Sequence, residues 1–392
     1  MNWSSAARVP VIGLTAAAAS MITATSVAAE WTVTPSGSAF TLGQQNPNFV
    51  PDGKDDSLAF GGNAALQVRR RTERLSLDLQ STYGAYRYRR DDNLDRDDAS
   101  LGLSGLWQGE RMAWSGTARA TRDTTLTSEL GTTGLTQGNS RHESYDLSFG
   151  PSWQPSERVI AGVSAGYDAS RYPGAAAAGL VDYAQGSASG YVSYTYSERL
   201  TLTFAGAAGR LSNKGAADDT TNTNVTVAAR YALGEKWSTE ASVGPSLVES
   251  GGQRERGYVY GLSASRAFER ATFSINASRS QEPAGRGLLT ELQRVGAAFS
   301  TQLTERLSVS TTAAVTHRRN ALQAFGLNLD DVKYTRGELA LGWRANANWQ
   351  LGFVVGGTNQ RRATFFGFGE PERARGYDAR LALSWNGNPY VH

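Results

Sequence analysis

The chain has no cysteine. That excludes disulfides, zinc–thiolate sites and thiol chemistry, and it excludes a lipid-anchored lipoprotein as well. Long apolar runs are also missing. Beyond residue 29 nothing approaches the ~18 apolar residues of a spanning helix, and mean hydropathy is −0.40. A helical membrane protein is therefore excluded. A transmembrane barrel is not, because half of its strand residues face a wet interior and dilute the hydropathy. Histidine is scarce: His142, His317 and the terminal His392 are all there is. Lysine is scarcer than its partner cation, with Lys54, Lys214, Lys236 and Lys333 set against 35 arginines. Arginine grips phosphate and carboxylate bidentately, which lysine cannot do, although a GC-rich genome produces the same ratio. Net charge is only +3, too small to argue for a nucleic-acid partner.

What is present begins with a processing segment. Arg8 supplies a positive start, Val9 to Ile22 is apolar and alanine-rich, and Ser26-Val27-Ala28 fits a small-residue cleavage site. Residues 1–29 are thus expected to be a signal peptide, cleaved after Ala28 or Ala29. Residues 30–392 are expected to form one barrel domain of about 363 residues.

Three-residue turns of one type recur along the mature chain. They are Thr72-Glu73-Arg74, Gly109-Glu110-Arg111, Ser156-Glu157-Arg158, Ser197-Glu198-Arg199, Gly234-Glu235-Lys236, Phe268-Glu269-Arg270 and Thr304-Glu305-Arg306, and Ala347-Asn348 sits where an eighth is due. Each joins two stretches that alternate apolar and polar residues. Longer connections rich in Gly, Asp and Arg link one pair to the next. The pattern predicts strands over 31–42, 58–70, 75–88, 99–108, 112–124, 143–154, 159–172, 183–196, 200–213 and 222–233. It continues with 237–249, 257–268, 271–280, 291–303, 307–320, 334–346, 349–362 and 376–386. This is an all-β chain: an up-and-down antiparallel transmembrane β-barrel of about 18 strands, with short periplasmic turns, longer extracellular loops and both ends periplasmic. The first strand is the weakest, since it carries Pro35; without it and a partner the count is 16. The main rival fold is a β-propeller, but a blade needs four short strands per repeat, and here each repeat holds two long ones.

Alternation assigns the two faces. Leu200, Leu202 and Phe204 oppose Thr201, Thr203 and Ala205, while Leu339, Leu341 and Trp343 oppose Glu338, Ala340 and Gly342. The apolar face is expected to meet lipid and the small polar face to line a water-filled lumen. Trp107, Trp114, Trp153, Trp237, Trp343, Trp349 and Trp385 lie near short turns or the C-terminus and predict a periplasmic girdle. Tyr83, Tyr86, Tyr167, Tyr172, Tyr183, Tyr258 and Tyr260 predict the outer one.

Two arginine sets follow from strand parity. Arg87, Arg89, Arg122, Arg171, Arg210, Arg279, Arg319 and Arg361 fall at the outer ends of rising strands and point with the apolar residues. Charge there is cheap at the interface, where lipopolysaccharide phosphates match the guanidinium fork; solvated arginine at a loop base is the plainer reading. Arg119, Arg230, Arg294, Arg336, Arg344, Arg362 and Arg380 face inward, interleaved with Asp78, Asp146, Asp168, Glu240, Glu338 and Asp378. Mixed signs on a channel wall either impose a weak charge preference or brace the wall as ion pairs.

Enzyme chemistry has little to stand on. His142 and Ser144 have the spacing for one strand face, as an outer-wall lipase would need, but a serine two residues from a histidine is common by chance in this Ser-rich chain. The run Asp91 to Asp98 invites Ca²⁺ but lacks the glycine and terminal glutamate of an EF-hand loop. No enzyme activity and no cofactor is expected.

The stretches Tyr86-Arg87-Tyr88-Arg89-Arg90-Asp91-Asp92-Asn93 and Arg122 to Leu130, with the Ser-Glu-Arg turns, resemble outer-membrane barrels grouped as β-barrel porin 2, similar to proteins of exopolysaccharide systems. The resemblance implies a barrel in the bacterial outer membrane and, more weakly, traffic of a polysaccharide. The expected function is a passive aqueous channel for hydrophilic solutes, with export of an anionic exopolysaccharide as the finer reading. A non-conducting structural or surface-binding barrel is the alternative. Expected partners are outer-membrane lipid, lipopolysaccharide, polysaccharide and the barrel-assembly machinery.

Overall fold

The computed structural model describes residues 30–128, 139–174, 179–214, 219–320, 331–362 and 372–391. The expected signal segment, and the greater part of the connections around 126–140 and 321–333, lie outside the described residues. The first nine strands are β1 (Glu30–Gln45), β2 (Asp56–Arg71), β3 (Leu75–Tyr88), β4 (Arg96–Gln108), β5 (Met112–Thr124), β6 (Arg141–Ser156), β7 (Val159–Arg171), β8 (Tyr183–Ser197) and β9 (Leu200–Asn213). The next nine are β10 (Thr220–Gly234), β11 (Trp237–Ser250), β12 (Gln253–Ala267), β13 (Ala271–Ala284), β14 (Leu288–Gln302), β15 (Leu307–Asn320), β16 (Val332–Arg344), β17 (Trp349–Arg362) and β18 (Glu372–Asn386). A two-residue strand, β19 (Tyr390–Val391), and one helical turn, α1 (Thr125–Ser128), complete the described elements used below.

Every long strand pairs antiparallel with its sequence neighbours, and β1 also pairs with β18 from Ser36↔Asn386 to Gln45↔Tyr377. The sheet closes on itself as an eighteen-strand barrel and leaves no free edge. Closure satisfies the whole backbone in lipid, where an unpaired N–H or C=O has no water to bond. No helix among the described residues is long and apolar enough to cross a membrane; the strands do it instead.

Pro35 does not weaken β1. The β1–β2 ladder runs unbroken through Pro35↔Leu66. Its carbonyl accepts from Gly387 N at 2.8 Å, so the missing N–H faces the β18 side. There β18 ends at Asn386, and pairing resumes one register later with Val33↔Tyr390. The proline sits where the ladder is interrupted in any case.

In four of the eight short turns a side chain at or just before the start caps the turn. Thr72 Oγ1 accepts from Leu75 N at 2.9 Å, and Ser197 Oγ from Leu200 N at 3.2 Å. Thr304 Oγ1 accepts from Leu307 N at 3.0 Å, and Asn346 Oδ1 from Trp349 N at 2.9 Å. Short polar side chains that bond backbone a few residues on are turn formers for this reason. The opposite end differs from the expectation in two places. Gly251 and Gly252, both at positive φ, make a tight turn, so residues read as loop before 257 belong to β12. Likewise β13 and β14 run on to Ala284 and Leu288. Above the lipid both faces of a strand are wet or packed, so the alternation that marks a strand disappears there.

The lipid face follows parity. Val227, Phe204 and Val243 lie side by side across β10, β9 and β11, and each is more than half exposed. Trp107 pairs with Trp114 and Trp349 with Trp385 on the same outward face. Of the outer aromatics, Tyr83, Tyr167, Tyr258 and Tyr260 face lipid. Tyr86, Tyr172 and Tyr183 do not: they point inward and pack there, the last two at or just beyond strand ends.

Candidate functional site: the barrel interior and its outer rim

Burial in this barrel is lopsided. All of the buried side chains among the described residues lie at the extracellular end. On one side, Phe40, Leu42, Ala59 and Tyr88 point inward and are covered by Leu94 from the β3–β4 loop and Leu126 from α1. On another, Leu211, Val248 and Leu289 pack with Tyr183, which also touches Tyr172 and Leu180. The tip of the β13–β14 hairpin reaches across to this second group. Val181 N donates to Gly285 O at 2.8 Å, and Asn213 Nδ2 donates to Gly287 O at 2.6 Å. Towards the periplasm the inward positions are small or polar and partly exposed, such as Thr117, Ser148, Ser164, Ser189, Ser193 and Thr203. Several bond in cross-strand hydroxyl pairs, Thr117–Ser148 and Ser164–Ser189 both at 2.7 Å. The interior is a cup: wide and wet from the periplasm, narrowed by packed apolar groups at the outer mouth. The expectation of a uniformly small-walled lumen is corrected for that mouth. Leu94, Leu126, Leu180 and Leu289 are what sequence reasoning missed; the clearest signal was Leu94, the one apolar residue in the run from Arg89 to Asp98.

An arginine–aromatic row crosses the seam where the barrel closes. The Arg380 guanidinium lies 4.0 Å over the Phe40 ring, Phe40 is 5.0 Å from Tyr86, and Arg96 lies 4.1 Å over Tyr86. Gly61 leaves the space that the Phe40 ring fills: a Cβ there would sit 2.3 Å from that ring. Arg96 also pairs with Asp98 at 3.1 Å.

Several of the inward charges pair across or along the wall. Arg230 meets Glu240 at 2.7 Å, and Arg294 makes two bonds of 3.0 Å to Glu282. Arg336 meets Glu338 at 3.1 Å, and Arg69 meets Asp78 at 2.7 Å. Arg362 lies opposite Glu372 in register, and Asp378 lies beside Gly356. Bracing therefore accounts for Arg230, Arg294 and Arg336 among the seven inward arginines, while Arg380 stacks on Phe40 instead. Arg119 and Arg344 are exposed and have no carboxylate within ion-pairing distance among the described residues. Arg119 faces the interior opposite Asp146, which in turn lies opposite Asp168; Arg344 ends β16 at the periplasmic opening.

The outward arginines form a rim. Arg87 pairs with Asp97 at 2.9 Å, Arg210 with Asp219 at 2.6 Å and Arg279 with Glu291 at 2.6 Å. Arg319 lies 3.9 Å from Asp331, which also holds His317 at 2.5 Å. Arg122 and Arg171 flank Glu143 in register, and Arg89 lies just past the end of β3. Arg361 stands apart, between Lys333 and Arg373.

His142 is not on the outer wall and does not engage Ser144. It points inward and is 4% exposed. Its Nδ1 lies 2.8 Å from Asp123 Oδ1 and 2.9 Å from Ser128 Oγ; Nε2 lies 3.4 Å from Ser170 Oγ, and Tyr172 stacks on the ring. The histidine ties α1 to the wall of β5, β6 and β7 beneath a tyrosine lid. The acidic run is likewise used locally. Asp91 accepts from Asn93 N and from Asn48, and Asp95 accepts from Tyr88 N, while Asp97 and Asp98 pair with Arg87 and Arg96. No group of three or more metal-ligating side chains converges among the described residues. In the β7–β8 loop Asp182 is the anchor. Partial burial raises its carboxyl pKa, but the Tyr172 N–H at 2.8 Å and Lys214 at 3.0 Å outweigh it and hold the group below the ordinary carboxylate range.

No protein-family model matches the sequence, and no curated protein matches it. Several solved structures are similar to this protein. Pseudomonas aeruginosa OccK2 (OpdF), crystallised with glucuronate, has a TM-score of 0.49 at 12% identity, over 92% of this chain and 98% of that one. Pseudomonas aeruginosa OpdQ has 0.49 at 8%, over 93% and 100%. The FrpB iron transporter of Neisseria meningitidis has 0.45 at 9%, over 91% and 81%. By its closed eighteen-strand wall, lipid-facing apolar exterior and tryptophan girdle, the protein is a β-barrel of the bacterial outer membrane.

Proposed function

We propose that this barrel is a passive aqueous channel for hydrophilic solutes. The observation that carries the reading is the wall itself. Eighteen strands enclose more space than their side chains fill, and below the mouth the inward positions are small, polar and accessible. The finer reading is that the cargo is anionic, a secreted polysaccharide included. Arg119 and Arg344 support it as inward cations without an acid partner, and so does the resemblance of the Tyr86–Asn93 stretch to barrels of exopolysaccharide systems. Refolded protein in a planar bilayer tests the channel. Steady ohmic conductance is expected, and Arg119→Glu with Arg344→Glu should shift selectivity toward cations. Electrical silence across preparations that are demonstrably folded would remove the channel reading. It would favour the second one, a barrel sealed by the packing of Leu94, Leu211 and Leu289 at its outer end.

A further inference from the structure

Around the rim most outward arginines sit beside an acid, as Arg87, Arg210 and Arg279 do. One sector breaks that rule. Lys333, Arg361 and Arg373 lie directly opposite one another across β16, β17 and β18, and Arg375 lies two residues further along. All four are exposed, whereas Val332, Gln360 and Ala374 beside them point inward and are buried. No carboxylate among the described residues lies within ion-pairing distance of any of the four. Asp331 is taken by His317 and Arg319, and the bond that Arg373 makes is to Asn359 at 3.2 Å.

Like charges placed directly opposite on one sheet face, with Cβ atoms about 5 Å apart, repel and destabilise the sheet. A row of three is a standing cost unless an anion lies across it. Its height says which anion. Arg361 is twelve residues up β17 from Trp349, the girdle residue. At about 3.4 Å per residue and a tilt of roughly 40°, that is about 30 Å, the thickness of the hydrocarbon core. Tyr377, two residues from Arg375, is exposed on the same face, and Leu381 continues the apolar band below it. The row therefore projects into the outer headgroup layer, not into bulk solvent.

We infer that the β16–β18 sector is a binding site for the phosphorylated headgroup of an outer-leaflet glycolipid. The row binds phosphate by charge and guanidinium geometry, while the acyl chains lie along the apolar wall beneath. The inference rests on the membrane placement of the barrel and is independent of whether the lumen conducts.

The test is binding of bisphosphorylated lipid A to detergent-purified full-length protein, read by native mass spectrometry, with heat-modifiable gel mobility as the folding control. The triple variant Lys333→Gln/Arg361→Gln/Arg373→Gln should bind at least tenfold more weakly. Arg70→Gln/Arg266→Gln, on the same outward face at the periplasmic end, should change binding less than twofold. Phosphate-free lipid A should bind the wild type as weakly as the bisphosphorylated form binds the triple variant. A tenfold excess of inorganic phosphate should leave the lipid in place. If the triple variant does not fold, Arg361→Gln alone should still weaken binding severalfold. Equal affinity of wild type and variant, equal affinity for the two lipids, or displacement by inorganic phosphate would each overturn the inference.

Discussion

A side chain in this wall matters according to which way it points. Val227 is 55% exposed at the middle of β10, and Ala228 next to it faces the interior. Val227→Arg puts a cation into hydrocarbon at mid-depth and should cost about 2–4 kcal/mol. Ala228→Arg meets water and should cost little. Urea unfolding in lipid vesicles compares the two. Asp182 offers a second prediction, set by pH. Its carboxyl is held below the ordinary range by the Tyr172 N–H and Lys214, against partial burial. A group depressed in the folded state contributes stability above its unfolded pKa and loses it as pH falls through the folded one. Asp182→Asn should therefore loosen the 172–182 loop at pH 7, seen as faster amide exchange at Tyr172. The gap between variant and wild type should close below the ordinary aspartate range. Hydrogen exchange that differs equally at pH 7 and in strong acid would contradict the assignment.

At the level of elements, the β13–β14 hairpin is the part that leaves the wall. Its upper end carries Gly287 at φ +70°, and a Cβ there would lie 3.0 Å from Asn213. Gly287→Val is both strained and too large for that approach, and Asn213→Ala removes a bond worth about 1 kcal/mol. Each should release the tip and raise single-channel conductance, Gly287→Val the more strongly, without unfolding the barrel. The strands themselves were legible. Leu75–Tyr88, Met112–Thr124, Leu200–Asn213, Leu307–Asn320 and Trp349–Arg362 begin and end where alternation and the capped turns place them. Lipid enforces that alternation, because one face has a single permitted chemistry. The upper reaches of β12, β13 and β14 were not legible, since no lipid faces them and packing inside the mouth decides which residues are apolar.

As a whole the molecule is asymmetric along its axis. The periplasmic end is broad and polar inside, while the extracellular end holds the packed core. Neutral polymers added from the periplasmic side should enter, and reduce the conductance, up to a larger size than polymers added from outside. Equal size cut-offs from both sides would rule the cup out. Among the described residues, three of the seven inward arginines are joined to an acid, as Arg230 to Glu240 and Arg294 to Glu282. Any charge preference should be carried by the groups outside those pairs, Arg119 and Arg344 first.

The amino-acid sequence alone determined the barrel, a count of about 18 strands, the membrane it spans and the face of most side chains in its middle, because closure and a hydrocarbon solvent leave period-two alternation a single solution there. Partnership was decided only in three dimensions. Which arginines meet an acid, which leucines turn into the mouth and which hairpin bends across it depend on residues far apart in the chain, and parity carries no record of a neighbour's identity.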